Sequence, residues 1–323
     1  MQAVQILDWA AGPKLTTKAR PDPRASPSTV QIKVQAVGLH QLVRTRATGR
    51  HWTSGSLPQV PGVDGVGTEV QSGRKVYFHT IEAPTGTGTF AEYVNIPRQS
   101  TCEVPPDMDG VLVAALMNPV MSSWMALRAR APDLAPGWTC LILGATSMSG
   151  RLAVHVAKKL GAGRVFGAAR RESTLAEVDG LDGRVVLDGE RPGDTEFGEA
   201  ARAEVVLDYL WGPWPRVVLA QPGVSTAVTW LSIGNVAGSE AGVPGPVLRW
   251  RDVTIRGSGP PSWGRKRMDE QEMEGMMGLL AEVKGMVEGD VRAFDVREVE
   301  EVWGRKEKER VVFVFGDGTD TTG

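Results

Sequence analysis

The first hundred residues alternate apolar and polar positions over short stretches. Residues 30–39, 74–80 and 90–97 (VQIKVQAVGL, RKVYFHT and FAEYVNIP) follow the period of two that half-buried strands show. The stretches between them, 53–67 and 82–89, are rich in Gly, Pro and Ser and predict loops. We therefore predict a small all-β domain, arranged as a partly open barrel, at the start of the chain.

From residue 111 onward, short apolar runs alternate with stretches of helical spacing. Residues 111–130 predict a helix that Pro119 interrupts, and residues 151–162 predict an amphipathic helix. Strands that alternate with helices indicate a doubly wound parallel sheet covered on both faces, so we expect an α/β fold. The predicted buried strands are 138–143, 164–169, 184–188, 204–210, 227–234 and 252–258.

The end of the chain combines a Met-rich helix at 268–287 with a final strand at 310–316. We expect this strand to return to the N-terminal domain. The predicted division is a β-rich domain made of residues 1–117 and 260–323, and an α/β domain made of residues 118–259.

Composition and charge narrow the possible functions. A chain of 323 residues favours two domains, and a net charge of −2 gives no electrostatic reason to expect a nucleic-acid partner. No apolar run approaches the length of about 18 residues that crosses a membrane, and we expect neither a signal peptide nor a membrane partner. The two cysteines, Cys102 and Cys140, exclude a disulfide framework and favour a cytoplasmic location.

Residues 141–150 (LILGATSMSG) form the strongest candidate for chemistry. A predicted strand, a turn between Gly144 and Gly150, and a predicted helix follow one another, as in dinucleotide-binding folds, where the helix N-terminus faces a pyrophosphate. Ser147 stands where a third glycine is usual, and its hydroxyl can donate a hydrogen bond. A plain strand–helix turn is the alternative. The pyrophosphate-binding candidates are Gly144, Ala145, Thr146, Ser147, Met148, Ser149 and Gly150.

The end of the next strand distinguishes NADPH from NADH. An NAD site carries an Asp or Glu there to bind the ribose 2′-hydroxyl, whereas Arg170 and Arg171 follow the strand at 164–169. Two guanidinium groups match the 2′-phosphate of NADPH, so the sequence predicts NADPH as the cofactor. The alternative is a solvated pair of arginines, paired with Glu172 or Glu177.

The order and spacing of several segments resemble the medium-chain dehydrogenase/reductase superfamily, and within it the zinc-free quinone oxidoreductase and enoyl reductase branch. The resemblance covers nearly the whole chain and implies a GroES-like β-barrel domain plus a Rossmann domain, with substrate bound in an interdomain cleft. The segments that carry it are 58–70 (PQVPGVDGVGTEV), 114–127, the loop at 144–150, 230–238 (WLSIGNVAG), 255–259 and 300–315.

The same resemblance implies that the chain holds no metal. Zinc-dependent members carry Gly-His-Glu where this chain has Gly62, Val63 and Asp64, and neither cysteine has a partner at ligand spacing. The residues that the resemblance places beside the nicotinamide, its ribose or its amide are Ile233, Gly234, Asn235, Ser258, Asn118 and Ser122.

Without zinc, hydrogen bonds or conjugation must polarise the substrate carbonyl, and the protein can position the cofactor and supply a proton. His40 stands in the asparagine position of an Asn-Pro-x-x-Asp-like segment of zinc-free relatives, and Val43 replaces its aspartate. His51 stands where enoyl reductases carry a tyrosine proposed as the proton donor. A histidine can donate a proton near neutral pH, which makes both catalytic candidates, although a surface or packed histidine is the alternative for each. Trp52 and Trp124 are candidate aromatic walls for the substrate, with core packing as the alternative for Trp124.

The resulting interpretation is a zinc-independent, NADPH-dependent reductase that transfers hydride to an activated C=C bond of an enone, enoyl or quinone-type small molecule. The first alternative is a carbonyl or imine reductase of a specialised biosynthetic pathway. The second is a non-catalytic NADPH-binding sensor, because the family's Asn, Asp and Tyr positions are changed. A homodimer is left open.

Overall fold

The structure of the chain is a computed structural model. It describes residues 1–22, 26–51, 53–83, 86–223, 227–264 and 268–316. The chain divides into two compact units, of which the first combines Met1–Asn118 with Met268–Gly323 and the second is Pro119–Arg267.

The described residues form strands, α-helices and short 3₁₀ segments. The strands are β1 (Gln2–Ile6), β2 (Pro13–Thr17), β3 (Thr29–Leu39), β4 (Asp64–Glu69), β5 (Lys75–His79), β6 (Tyr93–Pro97), β7 (Thr101–Glu103), β8 (Thr139–Leu143), β9 (Arg164–Ala169), β10 (Gly183–Val186), β11 (Val205–Asp208), β12 (Ala227–Ser232), β13 (Asp252–Gly257), β14 (Val291–Asp295) and β15 (Arg310–Val314). The α-helices are α1 (Gln41–Arg46), α2 (Gly110–Arg130), α3 (Met148–Lys159), α4 (Glu172–Ala176), α5 (Trp214–Leu219), α6 (Gly245–Trp250), α7 (Glu270–Val287) and α8 (Val299–Val302). The 3₁₀ segments are Arg98–Ser100, Pro192–Asp194, Gly198–Arg202, Pro260–Trp263, Glu288–Asp290 and Val296–Glu298.

Strand β3 organises the sheet of the first unit. Within the described residues this sheet has seven strands, in the order β14-β15-β3-β4-β5-β7, with β6 also paired to β3. The pairing of β15 with β3 is antiparallel and joins Val311 to Leu39. The final strand therefore returns to the N-terminal sheet, as predicted. The alternation along β3 buries Ile32, Val34 and Val37 in one apolar core, with polar positions such as Lys33 between them.

The second unit is built on a parallel sheet. Over the described residues its order is β10-β9-β8-β11-β12-β13, and every pair of neighbours is parallel. Counted from β8 as the first strand, this is the order 3-2-1-4-5-6 of the Rossmann fold. The strand order reverses between β8 and β11, and ligands of such sheets bind at the carboxyl ends of the strands beside that point. The predicted α/β fold is confirmed.

Helix α2 corrects one prediction. It is a single helix over Gly110–Arg130 with Pro119 inside it, rather than a helix that Pro119 interrupts. A proline removes one backbone hydrogen bond, but burial of apolar side chains on both sides of it, such as Leu116 and Val120, holds the helix together. The helix is long and apolar enough to cross a membrane by length and composition, yet 78% of its apolar window is buried, as in the core helices of many proteins.

The predicted strands fit most closely in the second unit, where β9 spans the predicted residues 164–169. The first unit contains strands that the hydrophobic pattern did not predict. Strand β4 begins inside the stretch 53–67, which predicted a loop. The other strands that the pattern missed are β1, β2, β7 and β14.

Candidate functional site

The loop from Gly144 to Gly150 joins β8 to α3 at the point where the strand order of the parallel sheet reverses. Gly144 has a φ of +92°, a backbone conformation that residues with a side chain rarely adopt. At Gly150, an added Cβ would lie 2.3 Å from the Gly144 carbonyl oxygen and 2.7 Å from the Ala145 Cα. Gly144 is therefore required by the backbone conformation of the turn, and Gly150 by the close packing of the α3 N-terminus on the end of β8.

Ser147, the departure from the usual glycine pattern, is the N-cap residue of α3. Its hydroxyl accepts a hydrogen bond from the Gly150 backbone N–H at 3.1 Å and donates one to the Gly144 carbonyl at 2.9 Å. The serine therefore stabilises the start of the helix, as N-cap serines do. Its hydroxyl proton is used within the loop, so a phosphate would meet this oxygen only after that bond opens.

Three other backbone N–H groups of this loop, those of Thr146, Met148 and Ser149, have no acceptor among the described residues. Unpaired N–H groups at a helix N-terminus carry a partial positive charge and attract anions. The loop thus presents several donors to an anionic ligand at the carboxyl edge of the sheet.

Arg170 and Arg171 lie at the same edge. Strand β9 ends at Ala169, and the Gly144 and Ala145 N–H groups both donate to the Ala168 carbonyl, at 2.9 and 3.2 Å. Both arginines are exposed, and neither guanidinium makes an ion pair within the part of the chain that the structure describes. The alternative of arginines paired with neighbouring glutamates is therefore not what this geometry shows.

The remaining nicotinamide candidates of the second unit follow the next strands at this edge. The N–H groups of Ile233 and Gly234 donate to the Asp208 carbonyl at 2.8 and 3.1 Å, and Asn235 comes next, exposed. The Ser258 N–H donates to the Ser232 carbonyl at 2.8 Å. The carboxyl ends of β12 and β13 thus align with those of β8 and β9.

Helix α2 carries three of the predicted residues. Asn118 and Ser122 are half-buried, and the Ser122 hydroxyl donates to the Pro119 carbonyl at 2.7 Å. Trp124 is only 6% exposed, which leaves little of its indole for a substrate and agrees with the alternative of core packing. Trp52, the other predicted aromatic wall, lies outside the described residues.

Comparison with known proteins identifies the chain. A protein of Emericella nidulans named "Probable NADPH-dependent quinone reductase" is 34% identical over 363 aligned positions, which cover 97% of this chain and 100% of that protein. A trans-enoyl reductase of Aspergillus terreus is 22% identical over 87% of this chain and 80% of its own length. No family model matches the chain.

The chain belongs to the medium-chain dehydrogenase/reductase superfamily, in its zinc-free quinone oxidoreductase branch. The fold agrees, because the structure of a Thermus thermophilus quinone oxidoreductase, solved alone and with NADPH, superposes with a TM-score of 0.73. That structure is 23% identical and covers 98% of this chain and 100% of its own. The predicted family and fold class are confirmed.

Two residues that the sequence analysis missed stabilise the carboxyl edge of the parallel sheet. Asp208, fully buried at the end of β11, accepts hydrogen bonds from the Leu210 and Trp211 N–H groups, both at 2.8 Å, and from the Trp230 indole at 2.9 Å. These bonds hold Trp211 at a φ of +57°. Burial raises the pKa of Asp208. The sequence did contain a signal for Asp208, because an acidic residue there ends an otherwise apolar predicted strand.

Tyr209, the next residue, was missed as well. Its hydroxyl lies 3.0 Å from the Ser122 hydroxyl, and burial raises the pKa of Tyr209 to about 12. The phenol therefore stays protonated and fixes the position of Ser122, one of the predicted nicotinamide contacts.

The two catalytic candidates lie in the first unit and differ in environment. His51 is half-buried, and its Nδ1 accepts the Thr53 N–H at 3.2 Å and lies 2.7 Å from the Thr53 hydroxyl. Burial, and then the charge of Arg46, lower the pKa of His51. His40 is 3% exposed and lies 3.5 Å from the carboxylate of Asp64. Burial lowers the pKa of His40 and Asp64 partly opposes that change.

Within the described ranges, no group of three or more His, Cys, Asp or Glu side chains is arranged to hold a metal ion. Burial also raises the pKa of both cysteine thiols, that of Cys102 to about 12, so neither is a ready thiolate ligand.

The close packing of α3 on β8 at Gly150 can be tested by substitution. Gly150→Ala should lower the free energy of unfolding by about 1–3 kcal/mol, because the new methyl group would overlap the backbone at Gly144 and Ala145. Urea denaturation measures the change. Gly285→Ala, in α7 with no atom within 4 Å of the added carbon, is the matched control and should be neutral or stabilising. Equal stability of Gly150→Ala and wild type would show that α3 does not pack against β8 in this way.

Proposed function

We propose that the chain is an NADPH-dependent reductase that transfers hydride to an activated C=C bond of an enone, enoyl or quinone-type small molecule. The observation that carries the proposal is that loop N–H groups without acceptors and two unpaired guanidiniums follow the carboxyl ends of the neighbouring strands β8 and β9. The Emericella nidulans relative is named an NADPH-dependent quinone reductase, and the Aspergillus terreus relative is named a trans-enoyl reductase. Both names support a reductase of conjugated acceptors.

The residues of the second unit fit a dinucleotide phosphate. The N–H groups of Thr146, Met148 and Ser149 would bind the pyrophosphate, since they lack other acceptors among the described residues. Arg170 and Arg171 would bind the 2′-phosphate, because a planar guanidinium matches a phosphate in two-point hydrogen bonding. The position after β9, where an acidic side chain would favour NADH, is occupied by Arg170.

When bound, the nicotinamide supplies the hydride. The chain must then stabilise the negative charge that develops on the acceptor and deliver one proton. The first unit offers His40 and His51 for this proton. Each is an imidazole whose pKa burial lowers, so each gives up its proton readily once it is protonated.

The arginine pair provides the test of cofactor choice. Arg170→Ala combined with Arg171→Ala should weaken NADPH binding about tenfold or more while NADH binding changes little, because charge-assisted hydrogen bonds to the 2′-phosphate are lost. Fluorescence titration with each cofactor measures both affinities. Arg216→Ala combined with Arg249→Ala removes two exposed charges of the same unit and should leave both affinities unchanged. Equal weakening of NADPH and NADH by the first pair would contradict the assignment.

The nature of the acceptor is tested by product analysis. The protein is incubated with NADPH and an enone, an enoyl thioester, a quinone, a ketone or a cyclic imine, and the products are identified by mass spectrometry. We expect saturation of the C=C bond or formation of the hydroquinone. Formation of only alcohol or amine would instead establish a carbonyl or imine reductase. Tight NADPH binding with no oxidation by any acceptor would establish a sensor.

A further inference from the structure

A histidine and a carboxylate are buried side by side in the first unit. His40 follows β3 and Asp64 begins β4, and the two side chains are 3% and 2% exposed. The His40 Nε2 and the Asp64 Oδ1 lie 3.5 Å apart. Each of these atoms is buried, and neither has a hydrogen-bond partner among the described residues. Such atoms are rare in folded proteins, and where they occur they call for an explanation.

The second carboxylate oxygen fixes the orientation of Asp64. The fully buried Tyr77 donates its hydroxyl proton to Asp64 Oδ2 at 3.0 Å. Burial raises the pKa of Tyr77 well above its usual value, so the phenol remains a donor. With Oδ2 occupied, Oδ1 is the oxygen that faces His40. A carboxylate accepts hydrogen bonds, so the nitrogen that faces it carries a proton.

The ring of His40 therefore has two unequal nitrogens. Nε2 is sealed in the interior against Asp64, whereas Nδ1 is not among the buried unpartnered atoms and has no hydrogen-bond partner in the described part of the chain. A carboxylate that holds one ring nitrogen leaves the other to exchange a proton with a reactant. The same division of roles orients catalytic histidines on unrelated folds.

Positive charge surrounds this pair. Arg310 begins β15, and its Nε is buried without a partner among the described residues; burial lowers the pKa of Arg310 to about 10. Arg310 and Arg46 both lower the pKa of His40, and Asp64 is the one group among the causes of that shift that raises it. His79 on β5 also lies near Asp64, but its Nε2 is 3.2 Å from the Met268 carbonyl. Among these groups, Asp64 is the one that favours the charged form of His40.

We propose that Asp64 is a positioning residue that holds the Nε2–H of His40, so that Nδ1 of His40 is the proton donor of the reduction. The proposal rests on the proposed reductase function and selects His40 over His51. It also assigns a role to Asp64, which occupies the position of the glutamate in the Gly-His-Glu segment of zinc-dependent relatives.

The proton balance is simple. With a hydride supplied by bound NADPH, which would be oxidised to NADP⁺, the acceptor would become an enolate or a hydroquinone anion. The His40 imidazolium gives its Nδ1 proton to this anion and becomes the neutral ring, which keeps its Nε2–H against Asp64. Solvent returns the proton to Nδ1 before the next turnover. No further oxidant or reductant is required.

The first experiment observes the ring directly. The intact protein is labelled with ¹⁵N-histidine, and long-range ¹H–¹⁵N spectra are recorded across a pH series without cofactor or substrate. The chain has four histidines, so His40→Gln assigns the signal. We expect neutral His40 to carry its proton on Nε2. A neutral ring protonated on Nδ1 would overturn the proposal even if the enzyme is an active reductase.

The second experiment measures the dependence of kcat on pH. The rate should fall as pH rises through the His40 pKa, because the acid is then lost. Asp64→Asn keeps the shape of the side chain but removes the charge that raises this pKa, so the fall should move to lower pH by about one unit or more. At pH values above this transition, kcat of Asp64→Asn should be about tenfold lower than that of the wild type, while NADPH affinity is retained.

Two matched variants separate positioning from packing. Tyr77→Phe removes a hydrogen bond from the same buried carboxylate but keeps its charge, so it should shift the pH profile less than Asp64→Asn. Asp64→Glu restores a carboxylate and should move the profile back toward that of the wild type. If Asp64→Asn does not fold, the ¹⁵N-histidine spectra of the wild type and the pH profile of Asp64→Glu still test the proposal.

The outcomes separate this proposal from the proposed function. A wild type that oxidises NADPH, with a pH profile unmoved by Asp64→Asn or with full activity in His40→Gln, overturns the role of the pair alone. If the wild type reduces none of the acceptors in the panel, the reductase function is overturned, and with it the role of His40 as an acid.

Discussion

The close approach of α3 to the end of β8 is the constraint on which the second unit depends. Because the α3 backbone lies against Gly144 and Ala145, no side chain fits at residue 150. The helix N-terminus is thereby held at the reversal point of the strand order, where its unpaired N–H groups face outward at the sheet edge. Ser147 caps the helix from within the loop, and the arginines that follow β9 extend the same edge with positive charge. A site for a phosphate-bearing cofactor follows from this packing.

The first unit depends on a different constraint, the burial of a charged side chain. Its sheet buries the carboxylate of Asp64 next to an imidazole and a phenol, and places Arg310 beside it. A buried charge is costly unless it is paired, and such arrangements concentrate at functional sites. The neighbours of the carboxylate determine which nitrogen of His40 can exchange a proton. In the proposed mechanism, fold and acid–base chemistry are therefore coupled through β3, β4 and β5.

The sequence predicts the strands and glycines around residues 144–150 more readily than the pairing of His40 with Asp64. Residues 164–169 and the glycines at 144 and 150 are local signals, because strand periodicity and a strand–turn–helix order are read over a few residues. Strand β4 was missed because its glycines resemble a loop; an added Cβ at Gly67 would lie 2.4 Å from the Lys33 carbonyl, so the glycine serves close strand pairing. The pairing of His40 with Asp64 joins residues 24 positions apart through sheet register, which the periodicity of the chain does not encode.

The proposed binding of NADPH requires the edge beside β8 and β9 to recognise a 2′-phosphate. Isothermal titration calorimetry of the intact protein with adenosine 2′,5′-bisphosphate and with adenosine 5′-monophosphate tests it most directly, because the two ligands differ only in that group. We expect the bisphosphate to bind about tenfold or more tightly than the monophosphate, with a difference that decreases as salt is added. Equal affinity for the two ligands would contradict it.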